Sequence, residues 1–283
     1  MIKLENLEVT GWEHAIRGMR NPMNSWDKSD TGWVDDGLEG GECIDLDFEY
    51  LRKKVIGPND HDLMMKLRNA GTDHRKFMRM ITVYVDITAP LYWWKEFDTY
   101  KVGTVANSCS TMHKIHEKEF TLDDFSYEHL IDSVSDEPFN LEVPNGVTVC
   151  VDDDTGCLAI ACHGSYHEGC SYTDSLYLSQ KDILSMFIIP ALNINREAYL
   201  KTIDKKYWWQ IIQLLPTSYN QKRTVMLNYE VLANIYKSRR NHKLDEWCDL
   251  CKRIEKLPYS ELITGSKKSE SLSETEGKEA TDE

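Results

Sequence analysis

Apolar positions along the chain follow helical spacing in some segments and strand-like spacing in others. In residues 60–70, DHDLMMKLRNA, the apolar side chains Leu63, Met64 and Leu67 recur at helical spacing, which predicts a helix that ends before Gly71. The next segment, MRMITVYVDIT, is rich in β-branched residues and predicts a strand. Pro90 ends that strand and suits the first turn of a helix, so LYWWKEF is predicted to be helical.

Four later segments also carry helical patterns. They are FTLDDFSYEHLI, SQKDILSMFIIPALNINREAYLKTI, KYWWQIIQLL and NYEVLANIYKSRRNHKLDEWCDLCKRIEKL. The first begins with Thr121 followed by Asp124, which is typical of a helix cap. The last is predicted to be the longest helix, because Val231, Leu232 and Ile235 form an apolar stripe. We expect it to end at Leu257-Pro258.

A different pattern lies between these helices. VTVCV and CLAIAC flank DDDTG, which predicts a β-hairpin. Together the elements predict an α+β or α/β domain, rich in helices around a central sheet. From residue 265 the chain is polar and cannot bury enough surface to offset the entropy of ordering. We therefore expect a single domain over residues 1–264 and a disordered acidic tail over 265–283.

Charge limits the classes of partner. The formal net charge is −14, which argues against general nucleic-acid binding, because phosphate backbones are bound by clustered Lys and Arg. A small anionic ligand needs only two or three local cations and stays possible. No apolar run is long enough to span a bilayer, and the first residues lack the order of a signal peptide. We expect a cytoplasmic protein without a membrane partner.

Cysteine and acidic clusters leave alternatives open. A cluster in the hairpin region invites a zinc site, and its members are Cys157, Cys162, His163, His167 and Cys170. Its spacing matches no common pair of ligand pairs, so buried thiols are favoured over a metal. Cys248 and Cys251 form a CxxC inside a helical pattern, which favours core packing over redox chemistry. The DDDTG turn could bind a cation, but a hairpin turn explains it better.

The last helical pattern carries three polar residues of interest. Asn228 and Arg239 are eleven positions apart, about three helical turns, and are predicted to point to one side, with Asn234 on another face. An arginine with two amides can bind a phosphate or the edge of a heterocycle. The alternative is a solvated or salt-bridged helix face.

The order of these motifs resembles the flavin-dependent thymidylate synthases. Their signature loop, R-H-R-x-x-S-x-N-E-x-S-x-R-Y, is reached from a strand through a helix, as ITAPLYWWKEFDTYKVGT is here. Thr99, Tyr100 and Lys101 fall on R-H-R. Thr104 falls on the first serine of the signature. With one residue inserted after it, the signature residues N, E, S, R and Y are matched by Asn107, Ser108, Ser110, Met112 and His113.

Three further segments extend the resemblance over most of residues 10–255. His74 falls on the histidine of the family's G-H-x-[TS] turn, and IRGMRNPMNSW is similar to its N-terminal Arg-to-Ser segment. LLPTSYNQKRTVMLNYEVLANIYKSRR matches the family's L-P, N-x-R-x-L, N and R positions, including Asn228, Asn234 and Arg239. Relative to the family, the hairpin of about residues 140–175 resembles an inserted segment.

The resemblance implies a fold, a reaction and a set of site residues. It implies a homotetramer that binds FAD, takes reducing equivalents from NADPH and methylates dUMP, a pyrimidine nucleotide, with methylenetetrahydrofolate. The cofactor-binding residues that it implies are His74, Tyr100, Lys101, Asn107, Asn228 and Asn234. The substrate-binding residues that it implies are Thr104, Ser110 and Arg239. Ser110 would be the catalytic serine beside the uracil, and no metal is implied.

The chain also departs from the family pattern. In the R-H-R triplet only Lys101 keeps a positive charge, and lysine lacks the planar fork of arginine. Ser108, Met112 and Ile212 stand where the family has a glutamate and two arginines. Each lost charge-assisted hydrogen bond is worth about 1.5–3 kcal/mol. Two hypotheses follow: a divergent enzyme with rearranged contacts, or a catalytically inactive scaffold of the same fold that binds a nucleotide or a protein.

Overall fold

A computed structural model describes residues 2–35, 52–130, 147–151, 158–162 and 180–265. The chain divides into two compact units. The sheet unit contains Ile2–Thr88, Phe97–Asn107 and the chain from Lys222 onward, and the helical unit contains Ala89–Glu96 and Ser108–Gln221. The predicted acidic tail and most of the cysteine and histidine cluster lie outside the described residues, and the single domain over 1–264 stays a prediction.

The described strands form one larger sheet and two hairpins. The strands are β1 Lys3–Thr10, β2 Gly32–Asp35, β3 Arg52–Val55, β4 Thr82–Pro90, β5 Val105–Ser108, β6 Val147–Val151, β7 Leu158–Cys162 and β8 Asn220–Asn228. The larger sheet has the order β1-β4-β8-β5, and β1 pairs antiparallel with β4, with Lys3 opposite Thr88. The pairs β2-β3 and β6-β7 are antiparallel hairpins.

The described helices complete an α+β fold. They are α1 Trp12–Arg20, α2 Pro58–Asn69, α3 Leu91–Phe97, α4 Gln180–Asp182, α5 Ile189–Thr202, α6 Lys205–Leu214, α7 Tyr229–Arg239, α8 Asp245–Ile254 and α9 Glu261–Thr264. A π-helical segment, Ile183–Ile188, joins α4 to α5. None of the helices in the described ranges is long and apolar enough to cross a membrane.

The larger sheet buries one face and exposes the other. In β4, Val83, Val85 and Ile87 are buried, whereas Tyr84 between them is exposed. This alternation follows from the period of two in a strand, so every second side chain points to the same face. On the polar face Asp86 accepts hydrogen bonds from Thr224, Asn6 and Lys222, with the Thr224 bond the largest cause, and together they lower its pKa to about 2.

The helical unit has its own core. Its buried side chains include Ile115, Phe120, Phe125, Leu184, Leu192 and Ile211. Trp93 and Trp94 of α3 are also fully buried, and Trp94 Nε1 donates to the carbonyl of Gln221 at 2.9 Å. The two tryptophans thus anchor α3 within this unit.

Several sequence predictions are confirmed. Helices α2, α3 and α6 and the hairpin β6-β7 occupy the predicted segments, and residues 180–202 form one mostly helical stretch. The strand after Gly71 is confirmed, but it begins at Thr82, because Arg75–Met80 forms a 3₁₀ helix. Of the CxxC pair, Cys251 is buried, and burial raises the pKa of its thiol to about 12.

Two helix predictions are wrong. In the described part of FTLDDFSYEHLI, residues 120–130, the helical structure is limited to the 3₁₀ turn Leu122–Asp124 inside a capping box, and Phe125 then pairs with Tyr219 in a β-bridge. The long final helix is two helices, α7 and α8. A turn separates them, in which the His242 backbone N–H donates to the Arg239 carbonyl and the Leu244 N–H donates to His242 Nδ1.

Candidate functional site

The N-terminus of α7 is held by Asn228. Its Oδ1 accepts the backbone N–H of Val231 at 3.1 Å, which satisfies one of the unpaired amides of the first helical turn. Its Nδ2 lies 3.5 Å from the carbonyl of Gly103. Asn228 therefore caps the helix and precedes its first turn, whereas the sequence pattern placed it within the helix.

Gly103 is fitted tightly against this cap. Its φ is +79°, a left-handed conformation that side chains disfavour. A Cβ at this position would lie 2.8 Å from Asn228 Nδ2 and 3.2 Å from Val231 Cγ2. The close approach of the loop to the start of α7 thus requires glycine at position 103.

The C-terminal end of α7 carries Arg239 in an aromatic setting. Arg239 Nε donates to the hydroxyl of Tyr100 at 3.0 Å, and Nη1 lies 2.8 Å from His242 Nε2. The guanidinium carbon lies 4.6 Å from the ring centre of Trp247, which is fully buried. Stacking and hydrogen bonding together fix the plane and the direction of the Arg239 guanidinium.

These contacts place residues 100–103 alongside α7. The Tyr100 side chain contacts Arg239 at the C-terminal end of the helix, and Gly103 lies against its N-terminal end, so the segment and the helix run in opposite directions. Lys101 and Val102 between them are exposed, Val102 to 91%. The hydroxyl of Thr104 is buried and has no hydrogen-bond partner in the part of the chain that the structure describes.

A charged group lies on another side of α7. Glu230 is buried, and its carboxylate accepts hydrogen bonds from Arg75, at 3.4 Å, and from Arg79. Arg75 Nη2 also donates to Asn234 Oδ1 at 3.4 Å. His74, exposed, precedes the 3₁₀ helix that carries both arginines. Asn234 and His74 therefore lie beside an arginine pair that Glu230 holds in place.

The structure gathers most of the sequence-predicted site residues into the sheet unit. They are His74, Tyr100, Lys101, Thr104, Asn107, Asn228, Asn234 and Arg239. Asn107 is exposed on β5. Ser110 belongs to the helical unit, where it is exposed and its Oγ accepts the N–H groups of Met112, at 3.2 Å, and His113, at 2.9 Å. The Ser110 hydroxyl thus stabilises a turn of its own loop.

Sequence reasoning missed Trp247 and Glu230 as parts of this arrangement. Trp247 lies on α8 and reaches Arg239 because the chain turns between α7 and α8, and that turn was predicted to be helical. Glu230 follows the helix cap by two residues, and an acidic side chain is favoured in the first turn of a helix. Its pairing with Arg75 and Arg79 brings together residues far apart in sequence.

The exposed polar side chains of the sheet unit are compatible with a phosphorylated heterocyclic cofactor. Lys101 offers a charge for a phosphate, while Asn107 and Asn234 offer amides for the polar edge of a ring system. The buried Thr104 hydroxyl without a described partner suits a ligand atom, since buried polar groups are normally hydrogen-bonded. The residues present are therefore compatible with a flavin or a nucleotide.

Comparison with known proteins finds similar solved structures but no match in sequence. No protein-family model matches the sequence, and no curated protein matches it. The structure of Thymidylate Synthase X (ThyX) from Helicobacter pylori with FAD and dUMP is similar, with a TM-score of 0.53 and 16% identity over 94% of this chain and 98% of that chain.

Two further solved structures are similar. Another ThyX structure from Helicobacter pylori, a flavin-dependent thymidylate synthase complexed with FAD and dUMP, gives a TM-score of 0.53 and 15% identity over 93% of this chain and 98% of that one. The UMP/dUMP methylase PolB from Streptomyces cacaoi, bound with 5-Br dUMP, covers 90% of this chain and 89% of its own at 14% identity, but its TM-score of 0.47 is too low to support an inference. The chain therefore has the ThyX-like α+β fold, as the sequence resemblance predicts.

Proposed function

We propose that this protein binds FAD and a pyrimidine nucleotide of the dUMP type and methylates the nucleotide reductively. The likeness in fold to a ThyX crystallised with FAD and dUMP supports this proposal. The observation that carries it is the run of residues 100–104 beside α7, because this run gathers Tyr100, Thr104, Asn228 and Arg239 along one helix. These are residues that the family resemblance implies for cofactor and substrate.

Each residue has a proposed task in binding. Lys101 holds a phosphate, while the amides of Asn107 and Asn234 and the ring of His74 meet polar atoms of the flavin. Asn228 holds the segment against α7 through its contact with Gly103, and Tyr100 orients Arg239. A bound reduced flavin would supply the hydride for the reaction.

The nucleotide would be held by Arg239 and Thr104 of the sheet unit. Arg239 is ordered before any ligand arrives, because Trp247 and Tyr100 fix its guanidinium group. A preordered donor loses little conformational entropy on binding. Thr104 would donate its buried hydroxyl to the nucleotide. For Ser110, the family resemblance alone implies a catalytic role.

The remaining parts of the proposal follow from the resemblance. NADPH and methylenetetrahydrofolate are the proposed co-substrates, the former as the reductant and the latter as the carbon donor. A homotetramer in the cytoplasm is the proposed state, in which neighbouring subunits would complete each site.

A second candidate function is a catalytically inactive scaffold of this fold. The observation in its favour is that polar groups expected to meet ligands already have partners within the chain. Arg239 donates to Tyr100, Asn228 caps α7, and the Ser110 hydroxyl accepts two backbone amides. The R-H-R positions, moreover, carry Thr99, Tyr100 and Lys101.

Product analysis separates the two candidates. The purified protein is incubated with dUMP, FAD, NADPH and methylenetetrahydrofolate, and the nucleotides are identified by mass spectrometry. We expect dTMP with the natural chain, little with Arg239→Ala, and an unchanged yield with Arg240→Ala, which alters the exposed neighbouring arginine. FAD binding without any methylated nucleotide would favour the scaffold. Absence of both FAD and nucleotide binding would contradict the enzyme and the nucleotide-binding scaffold, and would leave the scaffold that binds a protein.

A further inference from the structure

A pocket lies beside α1, the N-terminal helix of the sheet unit. Its volume is about 280 Å³. It is lined by Glu13, Ile16, Arg17 and Arg20 of α1 and by Trp26, Ser29 and Thr31 of the turns that follow. The four α1 residues are spaced by three, one and three positions, which places them on one face of the helix. None of the lining residues belongs to the flavin and nucleotide site proposed above.

One wall of this pocket is held by a buried ion pair between Arg20 and Asp60. Arg20 Nε donates to Asp60 at 2.6 Å, and both side chains are buried. The other carboxylate oxygen of Asp60 accepts the hydroxyls of Ser29 and Thr31, each at 2.7 Å. A paired and hydrogen-bonded charge of this kind keeps its geometry, so this wall presents a fixed surface to the pocket.

Trp26 supplies a large aromatic surface. Its side chain is 50% exposed, although tryptophan is usually well covered. Its Nε1 donates to Asn21 Oδ1 at 2.9 Å, which restricts the orientation of the indole ring. Ile16 contributes apolar surface to the same pocket. An oriented aromatic ring beside an apolar residue suits a flat ring ligand, since stacking needs a fixed plane.

Arg17 supplies the positive charge. It is exposed, and its Nη2 lies 3.0 Å from His14 Nδ1, a contact in which no carboxylate neutralises the guanidinium charge. Arg20 in the same pocket is already neutralised by Asp60. Glu13, one turn before Arg17, adds a negative charge, so the pocket favours a ligand with a single anionic group over a polyanion.

We propose that this pocket binds a planar heteroaromatic ligand that carries one phosphate or carboxylate, with the ring on Trp26 and the anionic group on Arg17. Pockets for small ligands measure roughly 300–1,000 Å³. A volume of about 280 Å³ lies just below that range, so the ligand has at most the size of a mononucleotide and not of a dinucleotide such as FAD.

The test uses AMP as the probe, because it joins a flat ring to one phosphate. The full chain is labelled with ¹⁵N and titrated with AMP, and the indole N–H signal of Trp26 is assigned by its loss in Trp26→Phe. We expect this signal to shift on titration. Adenosine and ribose 5-phosphate, which each lack one half of the probe, should bind more weakly than AMP.

Matched variants locate the bound probe. Calorimetry should show AMP affinity reduced by roughly ten- to hundredfold in Trp26→Ala and by roughly tenfold in Arg17→Gln. It should be unchanged in Trp209→Ala and Arg240→Gln, which alter an exposed tryptophan and an exposed arginine elsewhere. The proposal would be overturned if the Trp26 signal did not shift, or if Trp26→Ala and Arg17→Gln bound AMP as tightly as the natural chain.

AMP could also bind at the proposed nucleotide site, and a third variant separates the two sites. Arg239→Ala should leave the AMP-dependent shift of the Trp26 signal intact. Loss of that shift in Arg239→Ala but not in Arg17→Gln would assign AMP to the other site and overturn the proposal for this pocket. Trp26→Ala and Arg17→Gln test this pocket, whereas Arg239→Ala tests the proposed nucleotide site. The proposal for this pocket can therefore fail while the proposed function stands, and the reverse.

Discussion

Arg239 donates a hydrogen bond from Nε to the hydroxyl of Tyr100 at 3.0 Å, and this bond joins the end of α7 to the segment that follows α3. Tyr100 stands where the family resemblance expects a histidine, and Arg239 where it expects an arginine. The pair brings a changed residue into contact with an expected one, since the phenol supplies an acceptor for the guanidinium group.

Replacing Tyr100 by Phe tests the strength of this contact. The ring keeps its packing while the acceptor of the Arg239 hydrogen bond is lost. We expect the free energy of unfolding in urea to fall by about 1 kcal/mol, because a partly exposed hydrogen bond to a charged group is worth less than a buried one. Tyr84→Phe, on the exposed face of β4, is the control and should be neutral. Equal stability of the two variants would show that the bond contributes nothing.

Asn228 has two separable roles. Asn228→Ala removes the cap of α7 and should lower the free energy of unfolding by about 1 kcal/mol. Asn228→Asp keeps the capping oxygen but loses the Nδ2 donor near the Gly103 carbonyl, so it should recover most of the stability. Under the proposed function both variants should weaken FAD binding, as measured by fluorescence titration. If Asn228→Asp bound FAD as tightly as the natural chain, the amide donor would have no part in the site.

Gly103 is predicted to resist substitution for two reasons, and a second glycine separates them. Gly103→Ala adds a Cβ at positive φ that also meets Asn228 and Val231, whereas Gly71→Ala adds one at positive φ with nothing within 4 Å. We expect Gly71→Ala to lower the free energy of unfolding by about 1–2 kcal/mol, and Gly103→Ala to lower it by more. Thermal and urea unfolding of both variants measure the difference. A smaller effect at Gly103 would mean that the loop does not lie against α7.

Asp60 should make stability depend on pH. Burial on its own raises the pKa of Asp60, but hydrogen bonds from Ser29 and Thr31 and the Arg20 guanidinium outweigh it and hold the pKa below the ordinary value of 3.8. A lowered pKa means that the folded state favours the carboxylate. This stabilisation is complete above the ordinary pKa and is lost as the pH falls through the lower folded-state value.

Asp60→Asn checks this pH dependence. At neutral pH it should lower the free energy of unfolding by about 3 kcal/mol, because Arg20 stays buried without its counter-charge. The difference from the natural chain should shrink in acid below the ordinary pKa. Asp62→Asn alters an exposed carboxylate on the same helix and should have little effect at either pH. A loss for Asp60→Asn that did not change with pH would contradict the assignment.

Local patterns predicted some elements, because their signals lie within a few residues. The stripe of Leu63, Met64 and Leu67 and the proline before LYWWKEF predicted α2 and α3. Strand β8 was missed, since Lys222, Arg223 and Thr224 interrupt its apolar alternation, and its burial depends on a neighbouring strand far away in sequence. The break between α7 and α8 carries no Pro or Gly, and Asn241 on its own is a weak local sign of a helix end.

In the candidate site, too, the sequence predicted which residues matter but not the contacts that they make. The positions of Asn228, Asn234 and Arg239 were found from spacing and from the family resemblance. That Asn228 caps a helix depends on where β8 ends, and that Arg239 stacks on Trp247 depends on the turn after α7. Both are consequences of tertiary structure, which sequence spacing cannot supply.

The visible absorption spectrum of the purified protein, recorded before and after addition of FAD, tests the central claim most directly. The proposed function predicts the bands of a protein-bound oxidised flavin that survive removal of unbound FAD and bleach when NADPH is added without oxygen. It also predicts weaker retention of the flavin in Lys101→Ala than in Lys95→Ala, which removes an exposed lysine of α3. A colourless protein that takes up no FAD would contradict the claim that this chain is a flavoprotein.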